Sequence, residues 1–102
     1  MNEFSRVATI RNRLGMHARP AAEFVKIASG YEADIWVEKE GLEVNGKSIL
    51  GVMMLAAEAG SCIQIRGVGK DARAVVEALV ALVEEGFGEE LVEGVPPKGQ
   101  RV

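Results

Sequence analysis

The chain of 102 residues contains one histidine, His17, set in the stretch Asn12-Arg13-Leu14-Gly15-Met16-His17-Ala18-Arg19-Pro20. A neutral imidazole keeps one unprotonated ring nitrogen, which can act as a nucleophile. Arg19, two residues on, offers a guanidinium that can pair with phosphate oxygens. Pro20 pre-sets φ and lacks the N–H that a first helical turn would leave unpaired, so it belongs just inside a helix start. Gly15 lets the backbone bend before that start. His17 therefore falls at or next to a helix N-cap, where free backbone N–H groups and the positive end of the helix dipole attract anions. A histidine alone at such a place is an ordinary polar residue. With Arg19 and Pro20 beside it, the stretch describes a place to hold a phosphoryl group.

Two further motifs bear on chemistry. Asn45-Gly46 is a turn signal, and Ser48 precedes the apolar run Ile49-Leu50-Gly51-Val52-Met53-Met54-Leu55-Ala56, where serine is a favoured N-cap. Seven of those apolar side chains would wrap a short helix on all sides. If Val52, Leu55 and Ala56 face the core, then Ile49, Leu50 and Met53 are left toward solvent as a partner surface. Met16, next to His17, is expected to join that surface. The octapeptide Gly41-Leu42-Glu43-Val44-Asn45-Gly46-Lys47-Ser48 also matches the phosphate-loop pattern G-x-x-x-x-G-K-S. Leu42-Glu43-Val44, however, alternates as a strand through the middle of the supposed loop. No later strand ends in a magnesium-binding aspartate either, so a nucleotide hydrolase is a remote alternative.

The elements that must position these residues follow from periodicity. Residues 4–10 read as a strand with Ala8 and Ile10 inward, and residues 18–29 as a helix closed by Gly30. Along that helix Arg19, Glu23 and Lys26 make a polar stripe opposite Phe24, Val25 and Ala28. Residues 32–39 alternate, with Ala33, Ile35 and Val37 on one side and Asp34, Trp36 and Glu38 on a wet outer face. Glu40-Gly41 turns the chain into a short strand at 42–44. A helix at 48–57 follows, then a strand around Ile63 and Ile65. A helix at 71–86 buries Ala72, Val75, Leu79, Leu82 and Val83. The order βαββαβα, with one covered and one polar sheet face, implies an α+β open-faced sandwich with helices packed on one side. Residues 1–89 form one domain, and 90–102, with Pro96-Pro97 and no periodicity, are expected to be a disordered tail.

Composition sets the class. With 48% hydrophobic and 26% charged residues the chain is that of an ordinary globular protein. A net charge of −3 speaks against a nucleic-acid binder. As the one cysteine of the chain, Cys62 cannot form an internal disulfide and reads as a small, reduced, buried side chain. No apolar stretch is long enough to span a membrane and no signal segment opens the chain, so a cytoplasmic location is expected.

The motif Gly15-Met16-His17-Ala18-Arg19-Pro20 resembles the active site of the histidine-containing phosphocarrier (HPr) family of the bacterial phosphotransferase system. Asn45-Gly46-Lys47-Ser48-Ile49-Leu50-Gly51-Val52-Met53 resembles that family's regulatory serine region, and the resemblance runs from about Phe4 to Glu89. It implies an antiparallel four-stranded sheet with three helices. It also implies a carrier, rather than an independent enzyme, with a transient phosphate on Nδ1 of His17. Arg19 would hold the phosphate oxygens and Ser48 would be a regulatory phosphorylation site. The implied partners are phosphorylated enzyme I as donor, IIA proteins as acceptors and a possible HPr kinase/phosphorylase. No cofactor, metal, nucleic acid or membrane is expected, and the chain should be a monomer. The alternative within the resemblance is a regulatory adaptor of the nitrogen-related branch, acting through protein binding.

Overall fold

The computed structural model describes residues 2–93. In chain order the elements are β1 (Glu3–Thr9), α1 (Ala18–Ser29), β2 (Asp34–Lys39), β3 (Leu42–Asn45), α2 (Ile49–Met54), β4 (Cys62–Val68) and α3 (Ala72–Glu84). The strands form one antiparallel sheet in the order β1-β4-β2-β3. This is the expected open-faced βαββαβα sandwich. The spatial order of the strands was not readable from periodicity.

Period-two alternation explains the two faces of the sheet. Ala8, Ile35, Val37, Ile63 and Ile65 are buried, and they meet Phe24 and Ala28 of α1 and Val75, Val76, Leu79 and Val83 of α3 in one core. The register carries Ser5, Arg66, Trp36 and Asn45 across the other face in one row. There Trp36 is half-buried and Arg66 donates to Glu43 at 3.1 Å, as a wet outer face requires. Between β2 and β3, Glu40 (φ 51°) and Gly41 (φ 89°) both take left-handed conformations, the geometry of a tight hairpin turn. The G-x-x-x-x-G-K-S octapeptide is therefore a hairpin arm. Its middle residues pair with β2 and do not form a phosphate-cradling loop.

Several local expectations need correction. Gly30 ends α1 in a right-handed conformation (φ −79°), so this helix end does not need glycine's freedom. In α3 the buried stripe takes Val76, while Leu82 is only partly buried. The helix after Ser48 is short, because Ala56 adopts φ 49° and turns away, leaving Leu55 and Ala57 to fill the core. Met16 is only 4% exposed and packs in the core, so it lies beneath the expected partner surface.

The chain also fails to leave the domain at Glu89. After α3, Gly86 (φ 74°), Phe87 (φ 56°) and Gly88 (φ 72°) turn the backbone left-handed, and residues 90–92 run back along the segment before α1. Arg13 N–H donates to the Glu90 carbonyl at 2.8 Å and Val92 N–H to the Arg11 carbonyl at 2.9 Å. A Cβ on Gly86 would run into the Leu91 side chain, which lies across it. The first part of the expected tail is thus a strap on the domain. Residues 94–102, the rest of it, lie outside the described residues.

Candidate functional site

The loop before α1 is shaped by Gly15, whose φ of +71° suits glycine and where a Cβ would sit 2.5 Å from the Ala57 carbonyl oxygen. Met16 N–H donates to that same carbonyl at 2.9 Å, tying the loop to the chain just after α2. His17 is the N-cap of α1, extended at φ −83°, ψ −171°, and its carbonyl accepts the first helical bond from Ala21 N–H at 3.0 Å. Helix geometry leaves the N–H groups of Ala18 and Arg19 without intrahelical acceptors, and Pro20 has none to offer. No acidic residue of the first turn offsets that positive end.

The acid comes instead from the other end of the chain. Glu89 Oε2 lies 2.8 Å from His17 Nε2, and Oε1 lies 3.1 Å from it. An ionised carboxylate can only accept, so Nε2 is the donor of this pair. Asn12 Nδ2 donates to Glu89 Oε1 at 2.9 Å, and Arg19 forms an ion pair with Glu89 Oε2. Arg19 also reaches Glu23 at 2.8 Å, one helical turn along. The Glu89 side chain is 12% exposed and that of His17 37%. Desolvation works to raise the Glu89 pKa, but hydrogen bonds from Asn12, Arg19 and His17 outweigh it and hold the carboxyl below its ordinary value. The result is a half-open imidazole at a helix N-terminus, with its Nε2 proton held and a guanidinium alongside.

The family model for the PTS HPr component phosphorylation site matches residues 4–85. The chain belongs to the HPr family of phosphocarriers. It is 44% identical over 80 residues to phosphocarrier protein HPr of Neisseria meningitidis, covering 78% of this chain and 90% of that one. It is 38% identical over 91 residues to phosphocarrier protein NPr of Proteus mirabilis, covering 88% of this chain and all of that one. The crystal structure of HPr-C-His from Thermoanaerobacter tengcongensis superposes with a TM-score of 0.79 at 45% identity, over 89% of this chain and all of that one. Among the described residues no helix is long and apolar enough to cross a membrane.

The other expected site residues lie around α2. Ser48 is its N-cap, with Oγ accepting from Gly51 N–H at 3.0 Å. Ile49, Leu50, Met53 and also Met54 are exposed, Leu50 most of all at 71%. Sequence reasoning missed two residues that the structure brings to His17, Asn12 and Glu89. The one signal for Glu89 was the pair of glycines around Phe87, which marks a sharp turn at the end of α3. The family match itself stops at residue 85, short of that turn.

Proposed function

We propose that His17 accepts a phosphoryl group on Nδ1 from phosphorylated enzyme I and passes it to IIA-type acceptors. The observation that carries this reading is the state of the ring. Nε2 faces the Glu89 carboxylate as a donor, so in the neutral ring Nδ1 is the nitrogen left without a proton, at the N-terminus of α1 on a partly exposed side chain. As the Nδ1–phosphorus bond forms, the bond from phosphorus to the donor atom breaks and its electron pair leaves with the donor. Arg19 and the first-turn N–H groups would hold the phosphoryl oxygens, so the site works through position and charge. The exposed side chains of Ile49, Leu50 and Met53 form the surface on which partner proteins dock before transfer.

Ser48 is proposed as a regulatory phosphorylation site as well as a cap. It sits at the edge of that apolar surface, so a phosphate there would place nearly two negative charges where a partner must settle. The exposed α2 surface also favours a second reading, an adaptor of the nitrogen-related branch that works by binding alone. One experiment separates them: incubate the protein with enzyme I and phosphoenolpyruvate and locate the label by mass spectrometry. An acid-labile phosphate on His17 that moves to a IIA protein supports the carrier. Its absence favours the adaptor.

A further inference from the structure

Asn12 is fully buried, yet it is a polar side chain only half satisfied. Its Nδ2 bridges the Gly15 carbonyl at 2.7 Å and Glu89 Oε1 at 2.9 Å, while Oδ1 has no hydrogen-bond partner among the described residues. Burying half an amide unpaired is unfavourable, and such rule-breaking concentrates at functional sites. The backbone that delivers Glu89 breaks a second rule. Phe87, a buried aromatic, is held at φ 56°, a conformation that costs energy in any residue but glycine. The strap of residues 90–92 then fixes the chain on the far side of Glu89. Two unfavourable features and a strap thus converge on one carboxylate, 2.8 Å from the reacting ring.

We infer that Asn12 and Glu89 act together as positioning residues for phosphoryl transfer: Asn12 fixes the Glu89 carboxylate, which keeps the imidazole proton on Nε2 and faces the charge the ring acquires. The inference rests on the reading of His17 as the carrier. When neutral His17 bonds phosphorus through Nδ1, the Nε2 proton stays in place and the ring takes on imidazolium character. The carboxylate already hydrogen-bonded to Nε2–H is its counter-ion. The logic is that of the aspartate in a serine-protease triad, which orients the imidazole and stabilises its cation without taking the proton. On transfer to an acceptor the nitrogen–phosphorus bond breaks, the pair returns to Nδ1, and the ring is neutral again with its proton where it began.

The test uses the full chain, the ¹⁵N signals of the His17 ring, and the rate of phosphoryl transfer from phosphorylated enzyme I. Glu89→Ala is expected to slow transfer about tenfold or more, the usual scale for losing an outer partner of a reactive histidine, and to let the proton occupy either nitrogen. Glu89→Gln keeps an acceptor without the charge, so it should retain the Nε2–H signature and recover only part of the rate. Asn12→Leu, with the same branching but no donor, should slow transfer in the wild-type background and add nothing in a Glu89→Ala background. An unchanged rate and ring signature in folded Glu89→Ala protein would overturn the inference. Equal slowing by Asn12→Leu in both backgrounds would reduce Asn12 to a structural residue and overturn its half. If Asn12→Leu does not fold, the two Glu89 variants still decide the role of the carboxylate. His17→Ala protein that labels as well as wild type would defeat the carrier reading itself, a different outcome from any of these.

Discussion

Glu89 and His17 are 72 residues apart in the chain, and the carboxylate of one lies 2.8 Å from the ring of the other. This contact has a consequence for acid stability. The Glu89 carboxyl has its pKa lowered in the folded protein, so at acid pH the unfolded chain binds the proton more readily. Its contribution is present above the unfolded carboxyl value and is lost as pH falls through the lowered, folded one. Melting temperature measured from pH 6 down to pH 3 should therefore fall more steeply in wild type than in Glu89→Gln. Parallel curves would show that the contact adds nothing to stability.

At the carrier residue, His17→Ala should abolish acid-labile labelling while the fold survives, because a partly exposed N-cap side chain that makes no cap bond contributes little packing. Arg19→Ala should leave the site but slow transfer by on the order of 100-fold, the scale of losing one preorganised donor at a reacting centre. Labelling kinetics with enzyme I check both.

Met16 and Met53 should part company on mutation. Met16→Ala opens a cavity in the core and should cost about 2–5 kcal/mol. Met53→Glu or Ile49→Glu, on the exposed side of α2, should shift stability by less than about 0.5 kcal/mol and yet weaken transfer strongly. Denaturant melts and transfer rates on the same samples distinguish the two. Unfolding of the α2 variants would place those side chains in the core.

Ser48→Asp should slow phosphorylation of His17 and leave the melting temperature equal or higher, since aspartate caps a helix as well as serine does. Ser48→Ala should cost about 1 kcal/mol through the lost bond to Gly51 N–H. Unaltered kinetics in Ser48→Asp and in authentic phospho-Ser48 protein would leave Ser48 a cap alone.

Truncation after Glu89 should lower both melting temperature and transfer rate, because it removes residues 90–92 and their bonds to Arg11 and Arg13. A tail disordered from residue 90 onward, as the sequence leads one to expect, would make such a cut harmless. A truncated protein equal to the full chain in both measurements would show that the strap does not hold Glu89.

Local signals were legible where structure is local. The bounds of α1 follow from Pro20 and the spacing of Phe24 and Ala28, and the β2–β3 hairpin from alternation around Glu40-Gly41. His17 and Arg19 could be picked out because cap and helix lie within one short stretch. Glu89 could not, since nothing in Glu89-Glu90 tells the two apart. One turns into the site, and the other faces solvent beside Arg13. That choice is made by left-handed backbone at Gly86, Phe87 and Gly88 and by Leu91 lying across Gly86, which are contacts of the finished fold. Met16 was misplaced for a similar reason, because its burial depends on the Gly15 bend and the Ala57 carbonyl.

The pairing of β1 with β4 joins Glu3 to Val68 and Thr9 to Cys62, and the strap then joins Asn12 to Leu91. Contacts so distant in sequence form late, after the entropy of closing long loops has been overcome. On a ribosome, the histidine would emerge many residues before the carboxylate that completes its surroundings. A half-made chain would thus display His17 without Glu89 and without the β4 and α3 that close the core.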